Sequence, residues 1–254
     1  MYKKLNEYDI HTYIHTYIHT YIHTILRQKT HKVKIHSGFT LAEVLLVITI
    51  IGVVASLTIP NMIQNIQDQQ YKTALKKNYS VLANATISVA EENGGTLVGL
   101  PVTGWVTNSL ISYYYKYLNV IKQCTHANTK GNCWHNDFYF SYLNGDPVDP
   151  SDDWWAKVGI GVILTDGTLV QFYDEAPDCD FQTSFGTPAD KCTFVTVDVN
   201  GFKRPNTYGK DIYVFYILKN RVIPRGISGA DWIPAGDCTS SGQGMTCANS
   251  KLLD

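Results

Sequence analysis

The chain has 254 residues, 44% of them hydrophobic, with 21 Lys/Arg against 22 Asp/Glu and a formal net charge of −1. That composition suits one membrane anchor and one globular domain and excludes a strongly basic nucleic-acid binder. The near-zero total conceals a split: residues 1–38 carry six basic against two acidic side chains, and the remainder carries 15 against 20, so +4 faces −5.

Residues 10–24 repeat Ile-His-Thr-Tyr with a strict period of four, which would set His11, His15, His19 and His23 on one face of a helix as a metal ladder. A simpler origin lies in the DNA. Read as CAT-ACA-TAC-ATA, the unit His-Thr-Tyr-Ile is what the tetranucleotide CATA encodes when read three times before the frame returns, so the tract is taken as a low-complexity product first. Two expectations follow. Either translation starts downstream, at a non-Met codon such as that for Leu26, or the repeat is translated and its copy number switches the reading frame.

Arg27, Lys29, Lys32 and Lys34 come next, with no acid among them, and then an apolar run opens at Ser37-Gly38-Phe39-Thr40-Leu41-Ala42-Glu43-Val44. From Phe39 to Ile63 there are 25 residues and one ionisable side chain, Glu43; from Val44 to Ile59 there is no charge at all. As a helix this run is about 37 Å long, enough to cross a bilayer core of about 30 Å. The positive-inside rule leaves the N-terminal side in the cytoplasm and exports the acidic C-terminal bulk. A small residue ahead of an overlong apolar stretch does not fit a general secretory signal. A carboxylate within such a span costs about 2.5–3.5 kcal/mol at the helix centre and less near an end, so Glu43 calls for a partner.

Gly38-Phe-Thr-Leu-Ala-Glu-Val-Leu-Leu-Val-Ile48, continued by Ile50-Ile-Gly-Val-Val-Ala55, resembles the N-terminal signature of type IV pilins and type II secretion pseudopilins. The resemblance covers about 25 residues. It implies that a prepilin peptidase cuts after Gly38 and methylates the new N-terminus, Phe39. It further implies that Glu43, fifth after the cut, serves assembly, and that Pro60 marks the kink many pilins carry. Physical chemistry supplies a reason: cleavage leaves a cationic amine on Phe39, and a neighbouring subunit's Glu43 neutralises it when helices pack in a filament. The implied partners are the peptidase, other pilin or pseudopilin subunits, the inner-membrane assembly machinery and membrane lipid, with no nucleic acid as primary partner. The implied location is the cytoplasmic membrane, single-pass with an extracytoplasmic head, and then an extracellular or periplasmic filament.

Pro60 removes a backbone hydrogen bond and is expected to bend or break the helix. Residues 64–95 are polar but keep an apolar stripe at Tyr71, Leu75, Tyr79, Leu82, Ile87 (slightly off phase) and Val89, closed by Asn93-Gly94-Gly95. The expected class is therefore α+β and pilin-like. A long helix, membrane-embedded over 39–63 and amphipathic over 64–95, packs on a small antiparallel sheet in a head of residues 96–254.

Within the head, Tyr113-Tyr114-Tyr115 and Trp154-Trp155 are aromatic clusters, read first as packing and second as a sugar-binding surface. Asp146-Pro-Val-Asp-Pro-Ser-Asp-Asp153 reads as a solvated turn. Strands are expected over 158–223: Val158–Leu164 and Thr168–Tyr173 about a type I′ turn at Asp166-Gly167, then Thr193–Val199, Ile212–Leu218 and Arg221–Ile223. Four or five such strands would bury one face against the helix, and the tail after Gly226 would be looped. Six cysteines, Cys124, Cys133, Cys179, Cys192, Cys238 and Cys247, allow 15 pairings but fall into three sequence-local couples, and an oxidising compartment favours pairing between neighbours.

One loop, Asp198 to Asp211, combines Asp, Asn and Gly in the manner of a hard-cation loop, with Asp198, Asn200 and Asp211 as candidate calcium ligands. It is no EF-hand, since the twelfth-position Glu is missing and Lys203 and Arg204 intrude; the same residues are also ordinary turn formers. Major pseudopilins carry a calcium loop between C-terminal strands, and this loop is similar in kind. No Gly-x-Ser-x-Gly, His-Glu-x-x-His or phosphate loop is present, and His126 and His135 are the sole histidines after Gly38, so no catalytic set emerges. The leading expectation is a non-enzymatic filament subunit serving secretion or adhesion; the alternative is a minor or tip subunit that binds a ligand.

Overall fold

In the computed structural model the described residues are 39–101, 109–135, 140–148, 159–173, 178–180, 190–227 and 236–253. The leader and its repeat, Gly38, Trp154-Trp155 and most of the acidic turn lie outside them. The chain divides into two units at Thr58/Ile59.

Helix α1 runs from Leu41 to Glu92, 52 residues with Pro60 inside it. The helix continues through Pro60, so of the two expected outcomes, a bend or a break, the break is excluded. The neighbours Ile59, Asn61 and Met62 supply the rest of the ladder, and the lost donor strands one carbonyl, four residues back, near Ser56. The helix ends where the sequence forbids continuation. Gly94 and Gly95 take positive φ, and Gly95 N–H reaches back to Ala90 O at 2.7 Å, a six-to-one closure of the last turn.

Its C-terminal half is amphipathic with a finer grain than the apolar letters show. Leu75, Asn78, Leu82, Ala85, Thr86, Val89 and Ala90 are buried, whereas Ile87 is exposed. The two polar members are satisfied: Asn78 Nδ2 donates to Ala74 O and Thr168 Oγ1, and Thr86 Oγ1 bonds Leu82 O and the Tyr114 hydroxyl. Each fully buried Leu on this face contributes about 1.5–3 kcal/mol.

After a short helix α2 (Ile111–Tyr114), six strands form one antiparallel sheet in sequential order: β1 Val120–Gln123, β2 Ile160–Leu164, β3 Leu169–Tyr173, β4 Lys191–Asp198, β5 Ile212–Leu218 and β6 Val222–Pro224. Four of them match the expected strands to within two or three residues; β6 is displaced by one. The sheet begins earlier than 158, because β1 is a four-residue edge strand too short to show alternation. Its bulge and Lys122 protect that edge from further pairing. The β2–β3 turn is also different. Gly167 N–H bonds Leu164 O and only Gly167, not Asp166, has positive φ, so a type I turn with a left-handed glycine replaces the type I′ form.

The largest correction concerns the faces. Strands β3, β4 and β5 are buried at every position, so the sheet is covered on both sides rather than one. One side packs Val162, Val170, Phe172, Val195, Val197 and Phe215 against α1. The other packs Leu169, Phe194, Val214 and Tyr216 under Trp134, Phe140, Tyr142, Tyr208 and Met245, contributed by the connecting segments and the tail. The tail itself ends in a helix, α3 (Cys247–Leu253), instead of a loop; Ala248 and Leu252 give it an apolar side that joins the α1-facing core. Ahead of α3, Asp237 accepts four hydrogen bonds, from Gln243 N, Gly244 N, Thr246 N and Thr246 Oγ1, which fixes the tail's turn.

Candidate functional site

The N-terminal segment contains its own partner for the lone carboxylate of the apolar run. Thr40 precedes α1 and Glu43 sits in its first turn. The Thr40 N–H and hydroxyl both donate to Glu43 Oε2 at 2.9 Å, while Glu43 N–H donates to Thr40 Oγ1 at 3.2 Å. This is a reciprocal capping box, two otherwise unmatched donors satisfied at a helix start. It also solvates one oxygen of Glu43 from within the same helix and leaves Oε1 for a second partner. The Thr-x-x-Glu spacing is visible in the sequence, so Thr40 is a site residue legible there and passed over.

From Phe39 to Ile66 the large apolar side chains are exposed, and α1 is long and apolar enough to cross a membrane. Its hydroxyls are turned inward on the backbone: Thr49 donates to Leu45 O, Ser56 to Val53 O and Thr58 to Val54 O. No described hydroxyl in this stretch therefore presents an unmet donor to lipid.

In the head, disulfides join Cys124 to Cys133, Cys179 to Cys192 and Cys238 to Cys247. The Tyr113–Tyr115 cluster is packing material at its centre. Tyr114 is fully buried, its hydroxyl on Thr86 and its ring edge-on to Phe172 at 5.1 Å, and burial pushes its pKa well above the ordinary tyrosine value.

The loop from Asp198 to Asp211 gathers buried polar groups. Asp198 Oδ1 accepts from Asn200 N and Oδ2 lies 2.8 Å from His135 Nε2. Burial first, with the nearby Asp211 charge adding to it, raises the Asp198 pKa to about 7 against the opposing pull of the His135 hydrogen bond. Both Asp211 oxygens accept backbone donors, Oδ2 from Asn206 and Oδ1 from Thr207. Asn200 Nδ2 donates to the Tyr71 hydroxyl and to Arg204 O, tying the loop to α1. Asn200 Oδ1 and Asn206 Oδ1 are buried without a hydrogen-bond partner among the described residues. The three expected ligands are thus brought into one loop, but hydrogen-bond partners already stand on the carboxylates of Asp198 and Asp211, and of the three only Asn200 Oδ1 is left open. Among the described residues no group of three or more His, Cys, Asp and Glu side chains is placed to hold a metal ion.

A long N-terminal helix, apolar in its first half, joined to an antiparallel head sheet defines a pilin-like α+β protein. Residues 34–59 match the family described as the prokaryotic N-terminal methylation motif, the type IV pilin and pseudopilin signature. The match takes in Gly38, Phe39, Thr40 and Glu43 and stops one residue short of Pro60. No curated protein and no solved structure matches the chain.

Proposed function

We propose that the chain is a filament subunit, stored in the cytoplasmic membrane with its head on the extracytoplasmic side and polymerised into a type IV pilus or a type II secretion pseudopilus. The observation that carries this reading is the methylation motif over 34–59 on an exposed apolar helix. Prepilin peptidase cuts between Gly38 and Phe39 and methylates the Phe39 amine. The amine is then a cation at the membrane edge, and Glu43 of an adjacent subunit meets it through the carboxylate oxygen that Thr40 leaves open. Assembly machinery of the inner membrane lifts the helix out of lipid into a core of like helices, where the side chains exposed here find each other. The motif favours a structural subunit over an enzyme. The alternative of a ligand-binding tip subunit draws no support from Tyr113–Tyr115, whose central ring is spent on the core.

The test is Glu43→Gln, which keeps the shape and the capping hydrogen bonds but removes the charge. Membrane levels and processing at Phe39 stay as in the parent, while subunit recovered in sheared filaments falls by about tenfold or more, as expected when a buried cation loses its partner. Unchanged filament yield contradicts the assembly role.

The Asp198–Asp211 loop takes a hard cation in this reading, calcium by the chemistry of its oxygens, with Asp198, Asn200 and Asp211 as ligands. The unmatched Asn200 Oδ1 and Asn206 Oδ1 support it, since buried amide oxygens call for a donor or a cation. Millimolar calcium then raises the melting temperature of the head and a chelator reverses it; no response to either contradicts the ligand set.

A further inference from the structure

Beside this loop stands a surface that the filament reading leaves unused. Its tip, Phe202-Lys203-Arg204, is exposed at all three residues, with Phe202 half accessible. Among the described residues Phe39 and Phe202 are the exposed phenylalanines. The base beneath this tip is fixed. Gly201 has φ of +71°, and a Cβ there would stand 2.5 Å from Gly167 O, so the loop lies directly against the β2–β3 turn. Asn200 ties the tip's far end, through Arg204 O, to the Tyr71 hydroxyl on α1, and the Phe202 ring stands edge-on to His135 at 5.5 Å. An aromatic ring and two cations are thus held out on a rigid mount rather than on a slack loop.

The mount stands at one particular height. Ile59, Met62, Ile63 and Ile66 are the last exposed apolar side chains of the run, and they belong to the same unit as the head. Tyr71, where the loop is tied, lies five residues beyond Ile66, a rise of about 7.5 Å. The polar zone on each side of a bilayer core is about 5–7 Å deep. The exposed charge around the mount is mainly cationic. Lys76 and Lys77 on α1, with the half-buried Lys72, join Lys203 and Arg204, against Asp68 and an Asp166 that Lys77 already engages at 2.6 Å. Asp198 and Asp211 lie buried beneath the tip, with hydrogen-bond partners on both carboxylates.

We propose that Phe202, Lys203 and Arg204 form a foot by which the head of the membrane-stored subunit rests on anionic phospholipid headgroups. Phe202 enters the interface and the two cations meet phosphate. This deepens the reading of residues 39–63 as a membrane span and rests on it. An exposed aromatic flanked by basic residues at headgroup depth is the chemistry of interfacial anchoring, and each such cation changes partition to an anionic surface by about fivefold. The foot would hold the head in one orientation before assembly and let go when the helix is extracted.

The experiment uses the full chain in vesicles of phosphatidylethanolamine with about 30% phosphatidylglycerol, with a photoreactive p-benzoylphenylalanine placed singly at Ile48, Val98 or Phe202. Ile48 reports the span. Val98 reports the opposite end of the head, where Leu97 bonds Lys219. The expected result is lipid adducts at positions 48 and 202 and none at 98, with the adduct at 202 falling about tenfold in pure phosphatidylcholine or with Lys203→Glu and Arg204→Glu together. An adduct at 48 with none at 202, or crosslinking of 202 to a second copy of the chain, overturns the foot and leaves the span standing. An adduct at 202 that ignores both lipid charge and the double substitution overturns the electrostatic recognition. No adduct at 48 removes the membrane reading and the foot with it.

Discussion

The two halves of α1 are one helix under two sets of rules. Leu57, in the first half, is 69% exposed, and Leu82, in the second, is 1% exposed, though both are leucines on the same element. The first half is apolar on every side, holds its hydroxyls against its own backbone and carries its one charge under a threonine cap. The second half is apolar on a single stripe and keeps two polar side chains, Asn78 and Thr86, because specific partners wait for them in the head. A helix apolar all round is matched to lipid or to a crowd of like helices; a striped one is matched to a single neighbour. The contrast teaches that hydrophobicity alone does not locate the core here, since the more apolar half is the more exposed.

The strongest way to break that comparison is a pair of leucine truncations. Leu82→Ala should destabilise the head by about 2–5 kcal/mol in urea unfolding, because it opens a cavity between α1 and the sheet. Leu45→Ala should leave head stability within about 0.5 kcal/mol, since Leu45 makes no buried contact. Equal losses would show that the halves are not distinct. A smaller effect tests the polar pegs. Tyr114→Phe removes the buried partner of Thr86 and should cost about 1 kcal/mol in the same assay, with Thr86 still bonded to Leu82 O. No loss would mean that the hydrogen bond adds nothing beyond apolar packing. The smallest effect belongs to Lys77→Ala, which breaks the Lys77–Asp166 pair at the edge of the docked half. Both groups are partly exposed, so the cost should be below about 1 kcal/mol and should vanish at high salt.

The elements easiest to read in the sequence were those whose cause is local. The span from Phe39 to Ile63, the glycine stop at Gly94-Gly95 and the strand from Ile212 to Leu218 each follow from a run of a few residues. What escaped depends on distant chain. Strand β1 exists because Asn119 and Val120 find Thr165 and Leu164 more than forty positions away, and four residues of its own carry no readable period. The second covered face of the sheet needs Trp134, Phe140, Tyr208 and Met245 to converge from three separate segments. The burial of Asn78 and Thr86 likewise depends on Thr168 and Tyr114, 90 and 28 positions away. Around the candidate site the same division holds. The Thr40–Glu43 cap is a spacing of three, while the His135–Asp198 contact joins residues 63 positions apart and no motif announces it.

Phe39 itself provides the most direct test. Intact-mass and N-terminal peptide analysis of the chain from membranes of a strain with an active prepilin peptidase should show a polypeptide beginning at Phe39 with one added methyl group on its amine. A mature chain beginning anywhere else, or an unmodified Phe39, would contradict the account.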